Sequence, residues 1–164
     1  SEGIELDILG RPNDYFEYGL AVAHQSAEIT SITAEESAMV GAELGSPLSS
    51  PDLQVSGHLQ FTNSLQGGND LYGRMDVSYT DSMPNGFPFS PGTGAPSPNF
   101  ANTDSITKVD LSIGYVTDKW SAILYAENAL DEDGYQFIMP QTFFDDRHMT
   151  LRPRTIGVRF TYNK

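Results

Sequence analysis

The chain has 164 residues and no cysteine, with 22 Asp and Glu against nine Lys and Arg, a formal charge of -13 at pH 7. That length allows one domain at most, and the lack of Cys excludes a disulfide framework, a thiolate metal centre and a cysteine nucleophile. So acidic a chain carries no basic patch for a phosphate backbone, which excludes nucleic acid as the expected partner.

Apolar runs are everywhere shorter than the roughly 18–20 residues that a membrane-spanning helix needs. A membrane β-barrel stays open, because its strands only alternate in polarity. The chain opens at Ser1-Glu2-Gly3 without Met, a basic region or an apolar stretch. Read for targeting, that is a leader already removed or a piece of something longer.

In chain order, period-two alternation predicts a strand over Gly3–Leu9, a short connection around Gly10-Arg11-Pro12-Asn13-Asp14, and a second strand over Glu17–Ile29,. The long connection Thr30 to Pro51 holds Thr33-Ala34-Glu35-Glu36, a Thr-x-x-Glu capping box that predicts a short helix stopping at Gly45-Ser46-Pro47,. Strands follow over Asp52–Asn63 and Leu71–Asp81, joined by the short Ser64 to Asp70. In the first, Leu53, Val55, Gly57, Leu59 and Phe61 alternate with polar residues; in the second, Leu71, Gly73, Met75, Val77 and Tyr79 do so,. Ser82 to Ser105 is Pro/Gly/Ser-rich and reads as irregular and mobile,. Strands over Ile106–Val116 and Lys119–Asn128 flank a tight turn at Thr117-Asp118. The last long connection, Ala129 to Pro153, mixes acids with Tyr135, Phe137, Phe143 and Phe144, and a strand over Arg154–Tyr162 closes the chain.

Most of these strands run about nine to twelve residues, against about five or six for a typical strand, whereas tilted membrane strands need about nine to eleven. Short and long connections alternate. Compact soluble domains seldom carry loops beyond about twelve to fifteen residues, while outer-membrane barrels combine short periplasmic turns with long extracellular loops.

A two-residue turn at Thr117-Asp118 would pair Val116 with Lys119, Tyr115 with Trp120, Ile113 with Ala122, Leu111 with Leu124 and Val109 with Ala126,. One face of that hairpin is then apolar. The other collects Lys108, Asp110, Ser112, Gly114, Ser121 and Glu127, with Ile123 and Tyr125 as exceptions. In a barrel the apolar face meets lipid and the polar face lines the interior. Tyr18, Tyr115, Trp120, Phe160 and Tyr162 then sit at the membrane boundary near the short turns,. Otherwise they are ordinary sheet aromatics packed under a second sheet.

His24, His58 and His148 lack metal-ligand spacing, and no metal or other cofactor is expected,. Asp131-Glu132-Asp133-Gly134 fails as a calcium loop, because its first and last ligand positions fall on Ala129 and Pro140,. Asp145-Asp146-Arg147-His148 reads first as a solvated charge run and second as a ligand contact from an external loop,. With no nucleophile elbow, phosphate loop or triad order, no enzyme is expected. The charges Arg74, Asp76, Lys108 and Asp110 are expected to pair across strands,.

Four segments in order resemble one family. Ser1-Glu2-Gly3-Ile4-Glu5-Leu6 is similar to a strand opening common in TonB-dependent outer-membrane receptors, and Gly45-Ser46-Pro47-Leu48 with Pro51 to the loop-to-strand segment that follows. Trp120 to Asp131, ending Glu127-Asn128-Ala129-Leu130-Asp131-Glu132, resembles the penultimate strand of that family. Pro153-Arg154-Thr155-Ile156-Gly157-Val158-Arg159-Phe160 resembles its last strand. The chain departs from the usual aromatic terminus, since Asn163 and Lys164 follow Tyr162.

The resemblance implies a plugged barrel of about 22 strands in the outer membrane of a Gram-negative bacterium. It would import a scarce nutrient such as a ferric siderophore, cobalamin or an oligosaccharide with energy from TonB. Residues 1–164 would be an all-β, antiparallel up-and-down meander, the last seven strands of that barrel, without the plug domain. The implied partners are outer-membrane lipid, the plug and remaining strands of the same protein, TonB through the absent N-terminal part, and a small nutrient ligand. Tyr135, Phe137, Phe143, Asp145, Asp146 and His148 are the candidate ligand contacts. The rival expectations are a soluble β-sandwich for carbohydrate binding or adhesion, and a complete small barrel with one strand overlooked.

Overall fold

A computed structural model describes residues 1–98, 100–139 and 147–163. Twelve elements follow in order: β1 (Glu2–Gly10), β2 (Phe16–Ser26), α1 (Ala34–Val40), β3 (Leu53–Leu65), β4 (Asn69–Thr80), β5 (Pro84–Asn85), β6 (Ala101–Asn102), β7 (Ile106–Val116), β8 (Trp120–Glu127), β9 (Tyr135–Met139), β10 (Arg147–Thr150) and β11 (Thr155–Tyr162). Seven of them form one antiparallel sheet in the order β1-β2-β3-β4-β7-β8-β11, an up-and-down meander. All seven expected strands are present, with end shifts of a few residues. The stretch expected to continue β2 to Ile29 leaves the sheet after Ser26. It pairs instead with the returning loop, Ile29 N–H donating to Ser46 O (3.0 Å) and Leu48 N–H to Ala27 O (2.8 Å).

The tight β7–β8 turn is centred one residue later than expected. Val116 pairs with Ser121, Tyr115 with Ala122, Ile113 with Leu124 and Leu111 with Ala126. Thr117 determines this. Its hydroxyl accepts the Lys119 and Trp120 N–H groups (3.3 and 3.0 Å), and its own N–H donates to Trp120 O (2.8 Å), so Asp118-Lys119 becomes the turn. Pairing moves by two residues along β8, which leaves each side chain on its expected face.

Helix α1 forms as the capping box predicts: Thr33 Oγ1 accepts from Glu36 N–H (3.2 Å), and Glu36 Oε2 accepts from Thr33 N–H (2.8 Å). It ends at Gly41, before Gly45-Ser46-Pro47, because Gly41 adopts a left-handed φ of 76°,. A Cβ at Gly41 would lie 2.0 Å from Phe89 O. The second long connection, expected to be irregular, carries the β5–β6 ladder and a Phe89–Pro96 bridge. It docks on the first through Phe89 N–H to Gly41 O (3.0 Å) and Gly92 N–H to Ala38 O (2.6 Å).

Among the described residues the buried hydrophobic side chains are Ala42, Ile106 and Ile138, which lie in the loops and at the loop end of β7. Among the described residues the other two sheets are two-stranded ladders in the long connections, and neither packs as a second layer on the seven-stranded one. The helix is too short and too polar to cross a membrane.

Candidate functional site

The side-chain pattern turns the sheet into two chemically different surfaces. A single cross-strand row runs Gly10, Tyr18, Leu59, Met75, Leu111, Ala126, Ile156, taking one residue from every strand. None of these is polar apart from the Tyr18 hydroxyl. Rows on either side continue the pattern with Ile8, Leu20, Val77, Ile113, Leu124 and Val158. This face is open: Ile113 is 54% exposed, Leu124 50% and Val158 70%. A fully transferred Val, Leu or Ile is worth about 1.5–3 kcal/mol, so water alone is a costly neighbour for it.

Aromatic side chains gather where the strands meet the short turns. Trp120 bridges Tyr115 (ring centroids 5.6 Å apart) and Phe160 (6.0 Å), and pairs in register with Tyr162. Tyr18 stands apart from this group, its ring over Gly10, where a Cβ would meet the ring at 2.3 Å. A second cluster escaped the sequence reading: Phe61 contacts Phe16 (5.2 Å) and Tyr15 (6.5 Å). Phe61 was legible as an apolar strand residue, but pairing it with Phe16 required the β2–β3 register.

The opposite face is polar and troughed. A cavity of about 530 Å³ is lined there by Asp7, Ser56, His58, Asp76, Lys108 and Asp110, among others. In register, His58 lies beside Asp76, and Asp76 beside Asp110. The charges do not pair across strands as expected. Arg74 binds Asp76, two positions along its own strand, through Nε (2.8 Å) and Nη2 (2.6 Å), and reaches Gln60 Oε1 on β3 (3.0 Å). Lys108 Nζ binds Asp110 at 2.5 Å in the same way. Residues i and i+2 share a face of a strand, and with two acids already side by side this arrangement gives each its own cation. His58 Nε2 is buried without a hydrogen bond, 3.8 Å from Glu17.

At the long-loop end, Asn128 is the most buried large side chain, 1% exposed, with a φ of 49°. Its Nδ2 donates to Glu132 O (2.8 Å) and Arg152 O (3.0 Å), and its Oδ1 accepts from Glu132 N–H (2.9 Å). Its N–H donates to Asp110 Oδ1 (2.8 Å). Nearby, Asp131 Oδ1 accepts the Arg154 N–H (2.9 Å). The two ends of the third long connection are thereby tied together and to the polar face. The sequence of this segment carries a family resemblance, but its role as a tie depends on Arg152, 24 residues away, and is not legible from neighbouring residues.

That connection projects the β9–β10 hairpin. Tyr135 stacks on His148 with centroids 4.1 Å apart, and Phe137 pairs with Met149. Tyr135 is fastened to Asp104, two residues before β7, its N–H donating to the side-chain Oδ2 (2.8 Å) and its O accepting from the Asp104 N–H (3.0 Å). Three of the candidate ligand contacts, Tyr135, Phe137 and His148, are thus brought onto one ribbon. Phe143, Asp145 and Asp146 lie outside the described residues. Among the described residues no group of three acids and histidines is arranged to hold a metal ion. Comparison with known proteins finds no family model, no curated protein and no solved structure that matches the chain.

Proposed function

We propose that the chain is wall from a transmembrane β-barrel of the outer membrane, in an active-transport receptor of the TonB-dependent kind. Its long connections capture a scarce nutrient outside the cell. One observation carries the reading: among the described residues no second layer lies over the nonpolar row that crosses all seven strands. Strand length, turn-side aromatics and the alternation of short turns with long loops support it. The order of short sequence segments supports the TonB-dependent kind. The polar face then looks into the barrel, where its ion pairs stay hydrated, and the Tyr135–His148 ribbon stands at the mouth. The energy for import enters through parts of the protein that carry the plug and the TonB contact.

The chain has a single tryptophan, Trp120, so its depth can be read directly. Folded into phosphatidylcholine vesicles, Trp120 should be quenched most by lipids brominated near the carbonyls and least by those brominated at the chain ends. A chain that instead stays monodisperse in detergent-free buffer and melts cooperatively overturns the membrane reading. For the transport role, deleting the β9–β10 hairpin from the intact protein should abolish nutrient binding and leave outer-membrane insertion unchanged. Binding that survives the deletion removes the hairpin from the capture site.

A further inference from the structure

Both outer strands of the sheet, β1 and β11, have one edge unpaired among the described residues. The six antiparallel pairings between them make β1 and β11 run in the same direction. The edges differ in charge on the polar face. At β1 this face carries Glu5 and Asp7, opposite Ala23 and Ala21, and neither acid has a cation partner among the described residues. At β11 it carries Arg159, which lies over the Tyr125 ring (5.6 Å) and has no carboxylate partner among the described residues.

We propose that each edge takes an added strand antiparallel to it, with interior-facing Lys or Arg against β1 and interior-facing Asp or Glu against β11. The proposal rests on the wall reading above. Opposite charges directly across a strand pair stabilise it and like charges destabilise it, by about 0.2–1 kcal/mol per pair. A second copy does not fit. Keeping the apolar faces together, antiparallel self-pairing joins β1 to β1 or β11 to β11, so an edge whose polar-face charges are the acids Glu5 and Asp7, or the single cation Arg159, meets an edge of the same sign and gains no opposite charge in any register. Joining β1 to β11 of another copy makes a parallel seam. The occupant is therefore a different strand, and the edges ask for different ones.

The chain has no native cysteine, so one introduced thiol marks one edge. Ile8→Cys labels β1 and Val158→Cys labels β11. Each is folded in dodecylphosphocholine micelles with two cysteine-bearing strand peptides of about 11 residues, alike on the apolar face and carrying Lys or Glu on the polar face. Ile8→Cys should form disulfide with the Lys peptide about fivefold over the Glu peptide, and Val158→Cys should show the reverse order. Adding Glu5→Lys and Asp7→Lys should invert the preference of Ile8→Cys. Equal yields, the opposite order, or no disulfide at either edge overturns the proposal. Trp120 quenching is scored separately, so a chain that inserts without edge preference refutes this inference and leaves the wall reading standing.

Discussion

Asp76 and Asp110 sit directly opposite one another across β4 and β7, and each is held by a cation two residues earlier on its own strand, Arg74 and Lys108. Two acids in register repel, so the cations act as a unit with them. Lys108→Met should therefore lower stability by about 0.5–1 kcal/mol, a surface-scale value because both partners stay partly solvated. Adding Asp110→Asn should recover most of that loss by removing one of the facing charges. Urea midpoints in micelles check both, and a double variant no more stable than Lys108→Met alone contradicts the unit.

The contrast between what was legible and what was not runs through this row. Alternation placed Asp76 and Asp110 on the polar face, because successive strand residues point to opposite faces and the apolar residues of β4 and β7 fix which face is which. It could not choose between partners two residues along a strand and partners across it, since both lie on that face. The β7–β8 turn escaped for a related reason: centring it on Thr117-Asp118 or on Asp118-Lys119 gives the same faces, and only the Thr117 hydroxyl bonds decide. The capping box at Thr33 and Glu36 was readable because its partners are adjacent in sequence. Stacking of Tyr135 on His148 was not, because it depends on how a long connection folds back.

Three in-register pairs place an aromatic ring over a glycine of the neighbouring strand: Tyr18 on Gly10, His58 on Gly19 and Tyr125 on Gly157. A Cβ at Gly157 would lie 2.5 Å from the Tyr125 hydroxyl. Gly157→Ala should thus cost about 1–3 kcal/mol by forcing the ring aside. In a Tyr125→Ala background the same change should cost almost nothing. A double-mutant cycle with no coupling would place the cost elsewhere.

Glu36 titrates below the ordinary carboxylate range because the Thr33 N–H, first, and the Thr33 hydroxyl donate to its ionised form. A lowered folded value means that the contribution to the helix is complete above the unfolded value and is lost as pH falls through the folded one. The Glu36 carboxyl resonance should accordingly titrate below the usual value, and Thr33→Ala should move it back up. Alanine keeps the N–H and removes only the hydroxyl, so the return is partial, and a midpoint indifferent to Thr33→Ala refutes the hydroxyl's share of the shift.

Asn128 combines a positive φ with three side-chain bonds that tie Glu132 and Arg152 together. Asn128→Gly keeps the backbone conformation and removes the bonds, leaving two part-buried carbonyls and an N–H without their partner, at about 0.5–1.5 kcal/mol per bond,. Asn128→Ala loses the same bonds and adds about 1–2 kcal/mol for placing a Cβ in the left-handed region. Alanine should therefore be the more damaging of the two, reversing the order found in a strand interior. Both should speed amide exchange in the β9–β10 hairpin while leaving β2–β3 amides protected, since the side-chain bonds that are lost span only the third connection. Exchange rising equally across the whole sheet would show that Asn128 stabilises the sheet itself and has no special hold on the hairpin that carries Tyr135 and His148.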